Sequence, residues 1–145
     1  MDQPLLVLLL PRRLERFPLE RPVRDLLRAP GVVAVDPSLV PLHRMAPTVA
    51  ARAAMGQARR MKLPGRPAAV AIFHPRQLFL AGALLARHHG AELWYGCEDE
   101  LDDELDAAVR ERAALAMTPE QLLAMAPLRM AELGIVSDPP SAPAA

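Results

Sequence analysis

The stretch AAVAIFHPRQLFLAGALLARHHGAELWYGCEDELDDELD, residues 68–106, decides the fold of this 145-residue chain. It opens on Ala68–Phe73, an unbroken apolar run of the length and composition of a strand covered on both faces. His74-Pro75-Arg76 then turns the chain into an amphipathic helix that runs to His89. Leu78, Leu84 and Leu85 share one face of that helix, with Phe79 and Ala83 beside them. Gly90 stops it. A further strand, Ala91–Tyr95, discharges into Gly96-Cys97-Glu98-Asp99-Glu100. Strand, helix, strand and acidic loop in that order read as a parallel βαβ unit.

Upstream, Leu5–Leu10 is a second apolar run, bounded by prolines, and reads as the first strand. The loop Pro11–Pro22 that leaves it is rich in Arg and Pro. A short helix, Arg21–Ala29, follows with Val23, Leu26 and Leu27 as its apolar stripe, and Pro30-Gly31 ends it. Val32–Val35 is the next strand, closed by Asp36-Pro37. Between 39 and 63 the helical centre is Pro47–Met61, with Val49, Ala53 and Met55 on its apolar side and Arg52, Arg59, Arg60 and Lys62 elsewhere. Packing on the sheet is the expected use of this helix, although a basic amphipathic helix can also lie on an anionic membrane face.

Downstream, an acidic helix from about Leu101 to Arg112 is expected to bury Leu101, Leu105, Ala108 and Val109. A short strand, Ala114–Met117, comes next. Thr118-Pro119-Glu120-Gln121 then has the N-cap, the proline at the first helical position and the glutamine three residues on that make a capping box. That helix reaches Leu133, with a kink expected at Pro127. Residues 1–136 therefore read as one α/β domain: a Rossmann-like, doubly wound parallel sheet of about five strands in three α/β/α layers. The Pro/Ala-rich segment 137–145 reads as a disordered tail.

Composition bounds the rest. The chain is 52% hydrophobic with one Trp, one Tyr and three Phe, so its core must be built from aliphatic side chains. A single cysteine, Cys97, excludes an internal disulfide and points to a reducing cytoplasm. The run Leu5–Leu10 is too short to span a membrane and is wrongly flanked for a signal peptide. Net charge is zero, yet residues 1–90 carry 14 Lys+Arg against 5 Asp+Glu and residues 91–145 carry 3 against 12. Either the two halves pair with each other, or the basic half meets an anionic ligand or surface.

In an open α/β sheet, ligands bind outside the carboxyl ends of the strands. Arg12, Arg13 and Arg16 follow the first strand and are candidates for an anionic group. His74 and Arg76 follow the third strand, where the imidazole can donate a hydrogen bond, act as acid or base, or simply cap the helix. Glu98, Asp99, Glu100, Asp102 and Asp103 follow the fourth, where neighbouring carboxylates can raise one another's pKa and leave one as a general base. Asp102, Asp103 and Glu104 are equally explained by the dipole of the helix they open. The glycines of a dinucleotide loop and of a Walker loop are both absent after the first strand, which disfavours those cofactors. No metal-ligand spacing accompanies Cys97 and His74.

Three pieces carry a resemblance: Ile72-Phe73-His74-Pro75, then Tyr95-Gly96-Cys97-Glu98-Asp99-Glu100, then Ala114-Leu115-Ala116-Met117-Thr118-Pro119-Glu120-Gln121-Leu122. Together with the order of elements, Ala69–Met125 resembles the second half of the N-terminal, acceptor-side domain of GT-B glycosyltransferases. The likeness is to family-4-like enzymes of bacterial surface-polysaccharide synthesis. Gly96 stands where the family motif has its first Asp, Glu100 where it has its last, and Thr118 where Ser is usual. The resemblance implies Asp99 as the base that deprotonates an acceptor hydroxyl. With Asp99 as base, His74, Arg76, Glu98, Arg12, Arg13 and Arg16 at the strand exits are the candidate substrate-binding residues. Such a domain holds no cofactor of its own and meets a nucleotide-sugar donor only with a donor-binding half, so the chain is expected to be inactive alone. The expected location is cytoplasmic, with contact at the inner membrane face left open. A second glycosyltransferase domain or subunit and a second copy of the chain are the open partners, and no nucleic acid is expected. The rival interpretation is a non-catalytic Rossmann-like binding or interaction module.

Overall fold

The structure, a computed structural model, describes residues 3–35, 46–97 and 104–136. Five strands form one all-parallel sheet: β1 (Pro4–Leu9), β2 (Val32–Val35), β3 (Arg66–Ile72), β4 (Glu92–Gly96) and β5 (Leu115–Met117). Five helices join and follow them: α1 (Glu20–Leu26), α2 (Pro47–Arg60), α3 (Leu78–Arg87), α4 (Glu104–Arg112) and α5 (Pro119–Glu132). The spatial order of the strands is β2-β1-β3-β4-β5. The chain therefore leaves β1 towards one edge and, after β2, crosses back and proceeds towards the other. Right-handed crossovers require the helices to change faces at that reversal. They do so: α1 and α5 cover one face, whereas α2, α3 and α4 cover the other. This is the doubly wound, three-layer Rossmann-like arrangement expected from the alternation of elements.

Side chains of successive strand residues point to opposite faces, and β1 shows the consequence. Leu6, Leu8 and Leu10 enter the core under α1 and α5, whereas Leu5, Val7 and Leu9 enter the core under α2, α3 and α4. All six are at most 2% exposed. Each full leucine burial contributes about 2 kcal/mol, which is why the central strand can be apolar throughout. The pairing of β1 with β3 shifts register at Leu5/Leu6, where Ala68 is left without a partner next to Pro67. Proline has no N–H to give the ladder, and a bulge absorbs the omission.

Several local expectations change against the packing. α1 ends at Leu26 rather than Ala29. Ala29 precedes Pro30, which disfavours helical backbone there, and its carbonyl instead accepts from Val32 N–H at 3.2 Å. On α2 the buried stripe is Ala50, Ala54 and Ala58, while Val49 and Met55 face solvent. The small side chains let α2 lie close against α3, so the larger residues point outward. α3 buries Leu80, Ala81, Ala83 and Leu84, with Leu78, Phe79 and Leu85 only partly covered. A helix apolar nearly all round gives no unique face from spacing alone. On α4 the buried residues are Asp106 and Val109.

One start signal and one stop signal hold. Thr118 Oγ1 accepts from Gln121 N–H at 3.2 Å and Gln121 Oε1 accepts from Thr118 N–H at 3.2 Å, a reciprocal cap on α5. α5 continues through Pro127 to Glu132. Gly90, at φ +87°, takes the left-handed backbone that stops the chain after α3. Asp36-Pro37, the acidic segment 98–103 and the tail 137–145 lie outside the described residues. Among the described residues no helix is long and apolar enough to cross a membrane.

Candidate functional site

Loops leave β1 and β3 for opposite faces of the sheet, which opens a crevice between their carboxyl ends. Such a switch point is where doubly wound sheets bind ligands. The β1 exit begins at Pro11 and closes into a 3-10 turn, Leu14–Arg16, with Arg16 N–H donating to Arg13 C=O at 2.8 Å. Phe17 anchors the turn from below. It is buried and meets the Phe73 ring edge-on, with centroids 5.2 Å apart. The arginines of the turn stay outside: Arg12, Arg13 and Arg16 are exposed and line one open depression of about 400 Å³. None of the three makes an ion pair with a described residue.

The β3 exit is a second short turn, Pro75–Gln77, that leads directly into α3. His74 Nδ1 accepts from Arg76 N–H at 3.1 Å. His74 therefore does serve as a cap, one of the roles its sequence position allowed. Gln77 completes the motif and also extends it. Its Oε1 accepts from Phe73 N–H at 2.8 Å and His74 N–H at 3.1 Å, while its Nε2 donates to Leu9 C=O at 2.7 Å. One amide thus ties the end of β1 to the end of β3. Sequence reasoning passed over Gln77, although its signal was present. His74-Pro75-Arg76-Gln77 has the same spacing as Thr118-Pro119-Glu120-Gln121, and both follow the carboxyl end of a strand.

Of the expected binding residues, the structure gathers Arg12, Arg13 and Arg16 round one depression. His74 and Arg76 are exposed on the neighbouring loop at the same edge of the sheet and are not among that depression's lining residues. Glu98 and Asp99 lie outside the described residues. Their approach is described: β4 ends at Gly96, and Cys97 N–H donates to Met117 C=O at 2.9 Å at the same carboxyl edge. Gly96 is closely packed, so a side chain there would press on its neighbours. A Cβ there would stand 3.0 Å from Leu122 Cδ2, 3.2 Å from Phe73 Cδ1 and 3.2 Å from Pro119 Cα. The glycine at this motif position follows from how tightly α5 docks on β4.

Behind that strand end lies a buried polar group that spacing did not reveal. Asp106 is 3% exposed, accepts from the Tyr95 hydroxyl at 2.7 Å and from Arg110 Nε at 3.0 Å. The Arg110 guanidinium also lies over the Tyr95 ring, 5.2 Å from its centroid. Burial first, and then the bond to Asp106, push the Tyr95 phenol well above its ordinary range. It stays protonated through neutral pH and is no acid or base there. The Cys97 thiol interacts with the same hydroxyl. An apolar i, i+4 count treats Asp106 as solvent-facing, and only the Asp-x-x-x-Arg spacing to Arg110 hinted at a pair.

At the opposite, amino end of β4, Glu92 pairs with Arg129 of α5 and accepts from Trp94 Nε1 at 3.1 Å. The Arg129 hydrogen bond is the main cause that holds the Glu92 carboxyl below its usual range. Every ion pair between described residues, including Arg24–Glu20, Arg28–Asp25 and Arg129–Glu132, lies within one half of the chain. The described structure therefore shows no neutralisation of the basic half by the acidic one. No group of His, Cys, Asp and Glu among the described residues could hold a metal ion. Compared with protein-family models, with curated proteins and with solved structures, the chain matches none of them.

Proposed function

We propose that this chain is a Rossmann-like binding module that receives an anionic ligand at the carboxyl edge of its sheet, in the crevice between β1 and β3. One observation supports this above the others: three unpaired arginines surround a depression beside the switch point. His74 and Arg76 add donors on the adjoining loop. The site has cations and hydrogen-bond donors. That is the equipment of a binder.

Thermal denaturation against a panel of soluble anions tests the proposal. Wild-type protein should be stabilised by at least one of them, because a ligand that binds only the folded state raises its stability. The Arg12→Gln/Arg13→Gln/Arg16→Gln form should lose that response. A panel without effect on the wild type, or with equal effect on both forms, overturns it.

A second proposal is the acceptor-side half of a cytoplasmic, bacterial GT-B-type glycosyltransferase. It is favoured by β4 ending at Gly96 at the carboxyl edge of the sheet, two residues before the acidic run of the sequence begins. In it, Asp99 takes the proton of an acceptor hydroxyl, Glu98, His74 and Arg76 orient substrate, and a separate domain or subunit brings the nucleotide-sugar. Capture of a donor-binding partner from the native cells, followed by assay of the complex, tests it. Asp99→Asn should abolish turnover of that complex while leaving its stability unchanged. Undiminished turnover rejects Asp99 as the base.

A further inference from the structure

We infer that the β1–α1 turn binds a terminal phosphoryl group, in preference to a carboxylate or a singly charged anion. The inference rests on the proposed binding role of the crevice and names the chemistry it selects. Arg13 at the cap of the 3-10 turn and Arg16 at its end line one depression. Arg12 joins them round the same depression. Glu15, the only acid in the turn, is not among the residues that line the depression. The platform is fixed rather than loose, because Phe17 N–H donates to Leu14 C=O at 3.1 Å and the Phe17 ring is buried against Phe73.

Three guanidiniums present far more N–H donors than a carboxylate can use. One arginine satisfies both carboxylate oxygens in a bidentate pair, and one charge is then neutralised. A terminal phosphoryl group offers three acceptor oxygens and a charge of about −1.5 to −2, which matches a trio of arginines in both respects. The turn contains no glycine, so the backbone cannot cradle a dinucleotide pyrophosphate closely. Side chains must do the holding, and they reach an end group.

The test follows backbone amides of the ¹⁵N-labelled full chain by NMR during titration with inorganic pyrophosphate, with acetate at matched ionic strength as control. Pyrophosphate should produce saturable shifts centred on Arg12–Phe17. Acetate should not. The R13Q/R16Q form, whose remaining amides report that it is folded, should bind pyrophosphate at least about tenfold more weakly, as expected for loss of charge-assisted bonds. Equal saturation by acetate, a linear response to pyrophosphate, or unchanged affinity in R13Q/R16Q overturns the inference. If another anion saturates amides 74–77 while the turn stays unmoved, the phosphoryl assignment fails and the crevice proposal stands. Absence of any saturable response along the carboxyl edge rejects both. Vesicles containing phosphatidic acid separate the sources. Sedimentation with them that pyrophosphate blocks identifies a lipid headgroup, whereas pyrophosphate binding without sedimentation identifies a soluble phosphate ester.

Discussion

Arginines serve opposite ends in two regions of this molecule. Arg110 is held by Asp106 and covers the Tyr95 ring, so its charge is used internally. Arg12, Arg13 and Arg16 sit on a hydrogen-bonded turn anchored by Phe17, yet no described carboxylate pairs with them. The first group is part of the core. The second is a surface whose electrostatic potential points outward. The difference teaches that order alone does not identify a structural charge. What matters is whether the charge has a partner.

Removing Asp106 should have the largest effect, because Asp106→Ala takes the acceptor from a buried phenol and a carboxylate from Arg110 at once. We expect a loss of about 3 kcal/mol in urea unfolding. A loss below about 1 kcal/mol would show that the buried group contributes no more than a surface pair and would erase the contrast. Gln77 lies between the two regions in character, since it is partly buried but serves the crevice. Gln77→Ala should cost about 1–2 kcal/mol by leaving Leu9 C=O and Phe73 N–H without their partner. Its amide resonances at 73–77 should shift in parallel.

Smaller again is the pH response of Glu92. Its carboxyl titrates below the ordinary value of 4.5 when folded, so its contribution is full above that value and is lost as pH falls through the lower folded value. The urea midpoint of wild type should therefore drop below about pH 4.5, and Glu92→Gln should flatten that part of the profile. An unchanged profile would count Arg129–Glu92 among the inert pairs. Smallest of all, Arg13→Gln/Arg16→Gln should alter stability by less than about 0.5 kcal/mol. A larger loss would mean that these arginines have structural partners and belong with Arg110.

Legibility in the sequence followed the same division between what is local and what is assembled. Val32–Val35 is the strand expected, and the Thr118–Gln121 cap forms as its spacing dictates. These features depend on neighbours along the chain. The buried side of α2 does not, because Ala50, Ala54 and Ala58 are selected by the closeness of α3. Hydrophobicity ranks Val49 and Met55 above alanine, and close helix contact reverses the ranking. Asp106 was hidden for a related reason, since its partner Tyr95 comes from a strand that periodicity cannot align with α4. At the candidate site, the sequence placed Arg12, Arg13, Arg16, His74 and Arg76 on the correct edge. It could not show that a single glutamine joins the two exits.

That glutamine fixes a dimension. With one amide bonded to Leu9 C=O, Phe73 N–H and His74 N–H, the mouth between the β1 and β3 exits has a set gauge before anything enters it. The ligand proposed for this edge would meet a mouth already set, with little ordering to offset. Size and charge would then decide at first encounter.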